Sequence, residues 1–271
     1  MNFIQFARAH GILIDHLPPV GTWKRYPTQD HPRKRNGAVK YMGSVGFVQN
    51  WAVNESVNVW HGEGAEVDHA QMQRLARAER QKRERLNKEA ANKASWILNQ
   101  CQLARHEYLK RKGFPDEQGY VWVNEGKRLL CIPMRVGSQL VGVQMIDEDG
   151  SKKFLYGQRT SMAQFVFDNK GIDVLCEGYA TALSVRAVLK QLKRRYTLHV
   201  CFSANNMEKV ASTLTGGFVI ADNDLSGTGE KVAKKIGWSY FMPPAGDFND
   251  FFVDQGLFRS SQALAKSMPV F

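Results

Sequence analysis

Four short apolar runs, at 172–176, 198–202, 218–221 and 239–242, punctuate the last hundred residues, and each stops at a carboxylate or polar tip. Helix-forming stretches separate them. Continuous apolar runs of this length alternating with helical segments are the pattern of buried parallel strands in βαβ units. The region 169–271 is therefore expected to form an α/β domain, a mainly parallel sheet with flanking helices. Short strands and turns precede it, at 121–123, 128–136, 139–147 and 153–156, with turn signals at Gly137-Ser138 and Asp149-Gly150. They predict a β-rich subdomain over 113–168.

Residues 66–112 are rich in Ala, Leu, Gln, Glu, Lys and Arg and contain neither Gly nor Pro, and Gly113 stands where a C-terminal cap is wanted. One long helix, or two with a break near Arg105, is expected. Apolar positions are sparse through 77–88 and return at Ala94, Ile97 and Leu98, so 61–112 reads as a charged helical connector. The first 60 residues read as a small β module. Phe3, Ile4, Phe6 and Ala7 lie at helical spacing before Gly11, and runs at 22–27, 38–42 and 45–51 predict a three-stranded meander. Residues 260–267 should form a closing helix, with 268–271 a tail packed on the sheet.

In open α/β sheets the site lies outside the carboxyl ends of the strands. There the chain places Glu177 after the first run, Asp222 and Asp224 after the third, and Asp247 and Asp250 after the fourth. Carboxylates on one rim repel one another and call for a cation. With no His or Cys interleaved, hard oxygen-seeking Mg²⁺ or Mn²⁺ fits better than zinc, and phosphate chemistry follows. Any one of these acids could be a helix cap or a solvated loop residue; the whole set makes that reading improbable.

The segment Glu177-Gly178-Tyr179-Ala180-Thr181-Ala182 matches the EGYATA signature of plasmid- and phage-encoded DNA primases, and with Asp222-x-Asp224 it resembles a Toprim domain. Residues 105–113, RHEYLKRKG, resemble the HxYLxxKG segment that precedes the catalytic region in that group. The resemblance covers roughly 105–255. It implies that Glu177 is a general acid/base in nucleotidyl transfer, that Asp222 and Asp224 hold the metal, and that Asp250, with Asp247, is the accessory acid. It also implies that the β-rich subdomain walls a DNA and nucleotide cleft, with Arg135 and Lys153 as the expected contacts among its cations. His106 is expected to be structural.

Charge modifies the picture at the N-terminal end. The formal net charge is +11, and residues 1–112 carry 19 Lys/Arg against 10 Asp/Glu, whereas 113–271 carry 18 against 16. A basic arm on a near-neutral domain points to a polyanion, because neutralised phosphates release their counterions. In the meander, Lys24, Arg25, Lys40 and the loop residues Arg33, Lys34 and Arg35 are interleaved with Trp23, Tyr26, Tyr41, Phe47 and Trp51. Cations for phosphates and rings for bases suit single strands, although so small a sheet also needs aromatics to fold. The loop 33–35 is the preferred DNA contact. Resembling primases often carry a zinc module at this place; here its Cys ligands are missing, so no zinc is expected. The four cysteines, Cys101, Cys131, Cys176 and Cys201, form neither a CxxC pattern nor a disulfide framework.

The sequence has no run of 18 apolar residues and no signal-peptide layout, so a cytoplasmic protein without membrane partners is expected. The expected activity is that of a DNA primase, making short RNA primers on a single-stranded DNA template from ribonucleoside triphosphates in phage or plasmid replication. A replicative helicase is an optional further partner; no GxxxxGK[ST] loop occurs in the sequence. The rivals are a Toprim nuclease or topoisomerase-like phosphodiester enzyme, and a non-catalytic single-stranded DNA-binding module.

Overall fold

The computed structural model describes residues 1–51, 53, 56–62, 69–225 and 227–268, the side chains of 69, 71 and 72 excepted. The chain falls into two compact units, Met1–Arg83 and Glu84–Phe271.

In the first unit α1 (Phe3–Ala9) begins with a capping box, in which the Asn2 side chain accepts from the Gln5 N–H and the Gln5 side chain accepts from the Asn2 N–H. It lies on an antiparallel sheet of β1 (Lys24–Tyr26), β2 (Gly37–Tyr41), β3 (Val45–Asn50) and β4 (Asn58–His61), ordered β1-β2-β3-β4. Phe3, Ala7, Ile12 and Ile14 bury against Val39 and Val48. Gly46 is required beneath Phe3, since a Cβ there would stand 2.1 Å from Phe3 Cε2. The meander has four strands where three were expected. The fourth is legible only after folding, when Trp60 packs on Phe3 and Tyr41 at centroid distances of 5.6 and 6.2 Å.

The second unit holds most of α2 (His69–Asn99), then β5 (Gln102–Arg105), α3 (Glu107–Arg111), β6 (Gln118–Asn124), β7 (Lys127–Val136), β8 (Gln139–Ile146) and β9 (Lys152–Phe154). The strands form an antiparallel sheet in chain order. Ala90, Ala94 and Ile97, one stripe of α2, bury against Cys131, Val143 and Leu155. Of the two helical readings of 66–112, the one with a break near Arg105 holds, since α2 ends at Asn99 and α3 begins at Glu107, but the break itself is corrected: 102–105 is an edge strand paired with 118–121. Its side chains are mostly exposed, so backbone pairing makes the strand and no apolar alternation announces it. Residues 63–68 lie outside the described residues.

There follow β10 (Phe165–Asp168), β11 (Ile172–Cys176), α4 (Tyr179–Gln191), β12 (Tyr196–Val200), α5 (Ala204–Ala211), β13 (Phe218–Ile220), α6 (Thr228–Ile236), β14 (Ser239–Phe241) and α7 (Phe248–Ser267). The sheet order is β10-β12-β11-β13-β14, with β11 through β14 parallel and β10 antiparallel at one edge. Alternation along the strands sends Val174, Cys176, Phe218 and Ile220 to a core under α4 and α7, and Leu175 and Val219 to a second core under α5 and α6. The edge strand β10 was not foreseen; Phe165 and Phe167 attach it to Tyr179. Helix α7 starts twelve residues before the expected 260 and bends at Gly256, whose φ of 73° is left-handed. Met268 is buried, and the rest of the expected tail, 269–271, lies outside the described residues. Among the described residues the architecture is mixed α/β with three sheets. Among the described residues no helix is long and apolar enough to cross a membrane.

Candidate active site

The parallel strands of the third sheet end at one rim, and the loops leaving them bring the acids there. Glu177 follows β11 directly, and Gly178 is the extended N-cap of α4. The Glu177 carbonyl accepts from the Phe202 N–H at 2.8 Å and Cys176 from the Cys201 N–H at 2.9 Å, so the backbone of Glu177 is tied to the chain leaving β12. Its half-buried carboxylate accepts from the Ala204 N–H at the start of α5. Burial pushes this carboxyl up; Lys152 and the Ala204 N–H hold it back, while Asp224 and Asp247 add to the rise.

Asp222 leaves β13 on a loop strapped to its neighbour. Asn223 exchanges two backbone hydrogen bonds with Gly246, at 2.8 and 3.0 Å, and its amide donates to the carbonyls of Pro243 and Pro244 at 3.0 and 2.7 Å. The residue between the two acids is thus structural. Asp224 is exposed and accepts from the Gly227 N–H at 3.1 Å, which shapes the turn into α6. Gly229 passes so near that a Cβ would lie 2.3 Å from the Asp222 carbonyl oxygen. Asp222 Oδ1 is buried without a hydrogen-bond partner. Burial, then the charges of Glu177 and Asp247, push the Asp222 carboxyl up to about 7, against the pull of Lys152. An orphaned anionic oxygen among like charges is costly unless a cation or proton meets it.

Asp247 caps α7, accepting from the Asp250 N–H at 2.8 Å, and faces the same rim. Asp250 turns toward α3 instead: its Oδ1 meets Lys112 Nζ at 3.2 Å. The set that acts on one another electrostatically is therefore Glu177, Asp222, Asp224 and Asp247. Asn249, buried, donates to the Lys112 carbonyl at 2.8 Å and to Ser184 Oγ at 2.9 Å, which fixes α7 against α3 and α4.

A cleft of about 410 Å³ opens beside this rim, lined by Tyr108, Arg111, Lys112, Lys152, Gly178 and Asp247 among others. Burial, then Asp247, pushes the Tyr108 hydroxyl up to about 12, so it stays protonated as a donor. Arg111 also donates to the Glu148 carbonyl. His106 is structural: it is buried, caps α3 by accepting from the Tyr108 N–H at 3.2 Å, and contacts the Arg128 carbonyl at 3.1 Å.

Of the cations expected on the β-rich wall, Arg135 is exposed and donates to its own turn at Ser138, 2.7 Å away. Lys152 lines the cleft, whereas Lys153 leaves the opposite face of β9. Sequence reasoning preferred Lys153 because nothing in the run SKKF tells which lysine faces the acids. It also passed over Tyr108, Arg111 and Lys112 as cleft residues, although the segment that carries them was noticed. Arg33, Lys34 and Arg35 are exposed on the loop between β1 and β2, in the first unit.

Among the described residues no group of three or more His, Cys, Asp or Glu side chains is placed to hold a metal ion. A Mg²⁺ ion does not require one, because it retains waters and takes substrate phosphate oxygens beside one or two carboxylates. The partnerless Asp222 Oδ1 is a donor of the kind such an ion takes.

No family model matches the chain, and no curated protein matches it. A chain of a solved complex, bacteriophage T7 lagging-strand DNA polymerase interacting with the primase domains of two gp4 subunits bound to an RNA/DNA hybrid and dTTP, is similar at a TM-score of 0.45 and 13% identity, covering 62% of this chain and 91% of that one. A likeness that distant says nothing of which residues act or on what.

Proposed function

We propose that the protein is a Toprim-type DNA primase that joins ribonucleotides on a single-stranded DNA template with Mg²⁺ or Mn²⁺. The observation that carries this reading is the orphaned, partly neutralised Asp222 carboxylate held with Glu177, Asp224 and Asp247 at the carboxyl ends of parallel strands, beside a basic cleft. Asp222 and Asp224 hold the metal, with Asp247 completing the acidic rim and Asp250 bridging it to Lys112. When bound, the metal neutralises the triphosphate and favours the ionised 3′-hydroxyl.

The chain's own groups then do three things. Glu177, its carboxyl raised by burial, takes the proton of the attacking 3′-hydroxyl and returns it to solvent or to the leaving pyrophosphate. Lys152, Lys112 and Arg111 face the cleft as partners for phosphate oxygens. Gly178 and the start of α4 bring backbone N–H groups to the same wall.

The test is incubation with single-stranded DNA, labelled ribonucleoside triphosphates and Mg²⁺. Short oligonucleotide products are expected. Shortened template would replace this reading by a nuclease, and binding without either product would replace it by a DNA-binding module.

A further inference from the structure

The four cysteines stand far apart in the chain, and the fold sorts them into two pairs of different kinds. Cys176 ends β11 and Cys201 follows β12, yet the Cys176 side chain lies in the core under α4 and α7 and that of Cys201 in the core under α5 and α6. The sheet stands between these two thiols. Both are fully buried, and burial pushes both up, so neither offers a thiolate.

Cys101 and Cys131 instead reach the same side of the antiparallel sheet. Alternation along β7 turns Cys131 toward α2, where it packs with Val143 and Leu155 beneath Ala90, Ala94 and Ile97. Its strand partners are Tyr120 in β6 and Met145 in β8, so it sits in the middle of the sheet. Two residues past the end of α2, the turn into β5 lays Cys101 on the same cluster. Its N–H donates to the Leu98 carbonyl at 3.2 Å, which sets the turn. The Cys101 thiol donates to the Ile97 carbonyl at 3.3 Å and the Cys131 thiol to the Leu129 carbonyl at 3.6 Å. Cys101 is half-buried and Cys131 fully buried. When Cys101 loses its proton, the neighbouring Cys131 S–H becomes its donor. That contact draws the Cys101 thiol below its ordinary value against the effect of burial, and it pushes the Cys131 thiol up, as burial also does. One thiol is reachable and disposed to ionise; the other is held protonated against it.

We propose that Cys101 and Cys131 form an oxidisable dithiol: Cys101 attacks a small disulfide such as oxidised glutathione, and Cys131 resolves the product into an internal bridge between the end of α2 and the middle of β7. In the first step Cys101, its proton lost to solvent, bonds to one glutathione sulfur, the glutathione S–S bond breaks, and the expelled thiolate takes the Cys131 proton. In the second, Cys131 bonds to Cys101 Sγ and expels the other glutathione, which takes a proton from solvent. The two protein thiols give up two electrons together, and two glutathione thiols carry them away. Bridge formation is independent of the proposed function.

The test adds oxidised glutathione to the reduced full chain in EDTA at pH 8. Mass spectrometry should find the chain lighter by two hydrogens and free of glutathione, and digestion without reductant should join the Cys101 peptide to the Cys131 peptide. The melting temperature should rise by about 5–10 °C and fall back with dithiothreitol, since closing a loop of about thirty residues restricts the unfolded chain. Cys131→Ala should stop at a glutathione adduct on Cys101, and Cys101→Ser should take up none. Brief iodoacetamide treatment of the native wild type, which relies on no variant folding, should label Cys101 before the other three cysteines. A lasting glutathione adduct on the wild type, a bridge to Cys176 or Cys201, no reaction, or a bridged chain that melts below the reduced one overturns the proposal.

Discussion

Asp222 should make the metal-free protein less stable than its own asparagine variant. An ordinary aspartate titrates near 4, whereas burial and then the charges of Glu177 and Asp247 raise Asp222 to about 7 in the folded chain. At roughly 1.4 kcal/mol per unit of pKa, holding Asp222 ionised in the fold costs at most about 4 kcal/mol above pH 7. The sign follows from linkage. The folded value is the higher one, so its favourable contribution is fully present below about pH 4 and is lost as pH rises through about 7. Glu177, raised for the same leading reason, adds in the same direction. Asp222→Asn removes the charge but still buries an amide, so a gain of about 1–3 kcal/mol at pH 8 is expected, or roughly 3–10 °C in melting temperature for a unit of this size. The assay is thermal unfolding in EDTA at pH 5 and pH 8. Wild-type protein should melt lower at pH 8 than at pH 5, the variant should show a smaller pH difference, and Mg²⁺ should raise the wild-type melting temperature more than the variant's. An Asn variant no more stable than wild type at pH 8, with the same pH dependence, would refute the claim that Asp222 is a strained, partnerless carboxylate.

Glu177→Gln should lower primer synthesis at least a hundredfold while leaving single-strand affinity unchanged, because the amide keeps the shape and cannot accept a proton; near-normal yield would remove Glu177 from the chemistry. Asp224→Asn should raise the Mg²⁺ concentration needed for activity, since it withdraws an anionic oxygen, and an unchanged titration would make that acid structural. Lys152→Ala should move the acidic limb of the pH–activity profile to higher pH, because the lysine lowers both Glu177 and Asp222; a profile that does not move would show that the lysine is electrostatically idle. Gly229→Ala should abolish activity and cost stability by displacing the Asp222 backbone, since the new methyl group would start 2.3 Å from its carbonyl oxygen; an active, normally melting variant would mean that the loop yields.

By itself the sequence determined the parts whose signals are local. Buried parallel strands advertise themselves as apolar runs, so β11 to β14 were legible to within two residues, as were β7 to β9 with their Gly turns, while β6 begins three residues before its expected start. The acids at the strand ends were legible for the same reason, because topology sends every parallel strand's carboxyl end to one rim. The stripe Ala94, Ile97 and Leu98 likewise foretold where α2 packs. Tertiary structure alone decided what depends on partners remote in the chain. The strands β4, β5 and β10 exist because another strand offers its backbone, and edge strands with exposed side chains carry little apolar pattern. Which lysine of Lys152 and Lys153 meets the acids is set by register, and a shift of one residue would exchange them. Asp250 reads in sequence as one more rim acid, yet the first turn of α7 hands it to Lys112, 138 residues away. Whether Trp23 and Trp51 or Tyr41 and Trp60 would face solvent was likewise undecidable until α1 claimed one side of the meander for its core. Sequence periodicity reports that a face is apolar; only packing decides which face is covered.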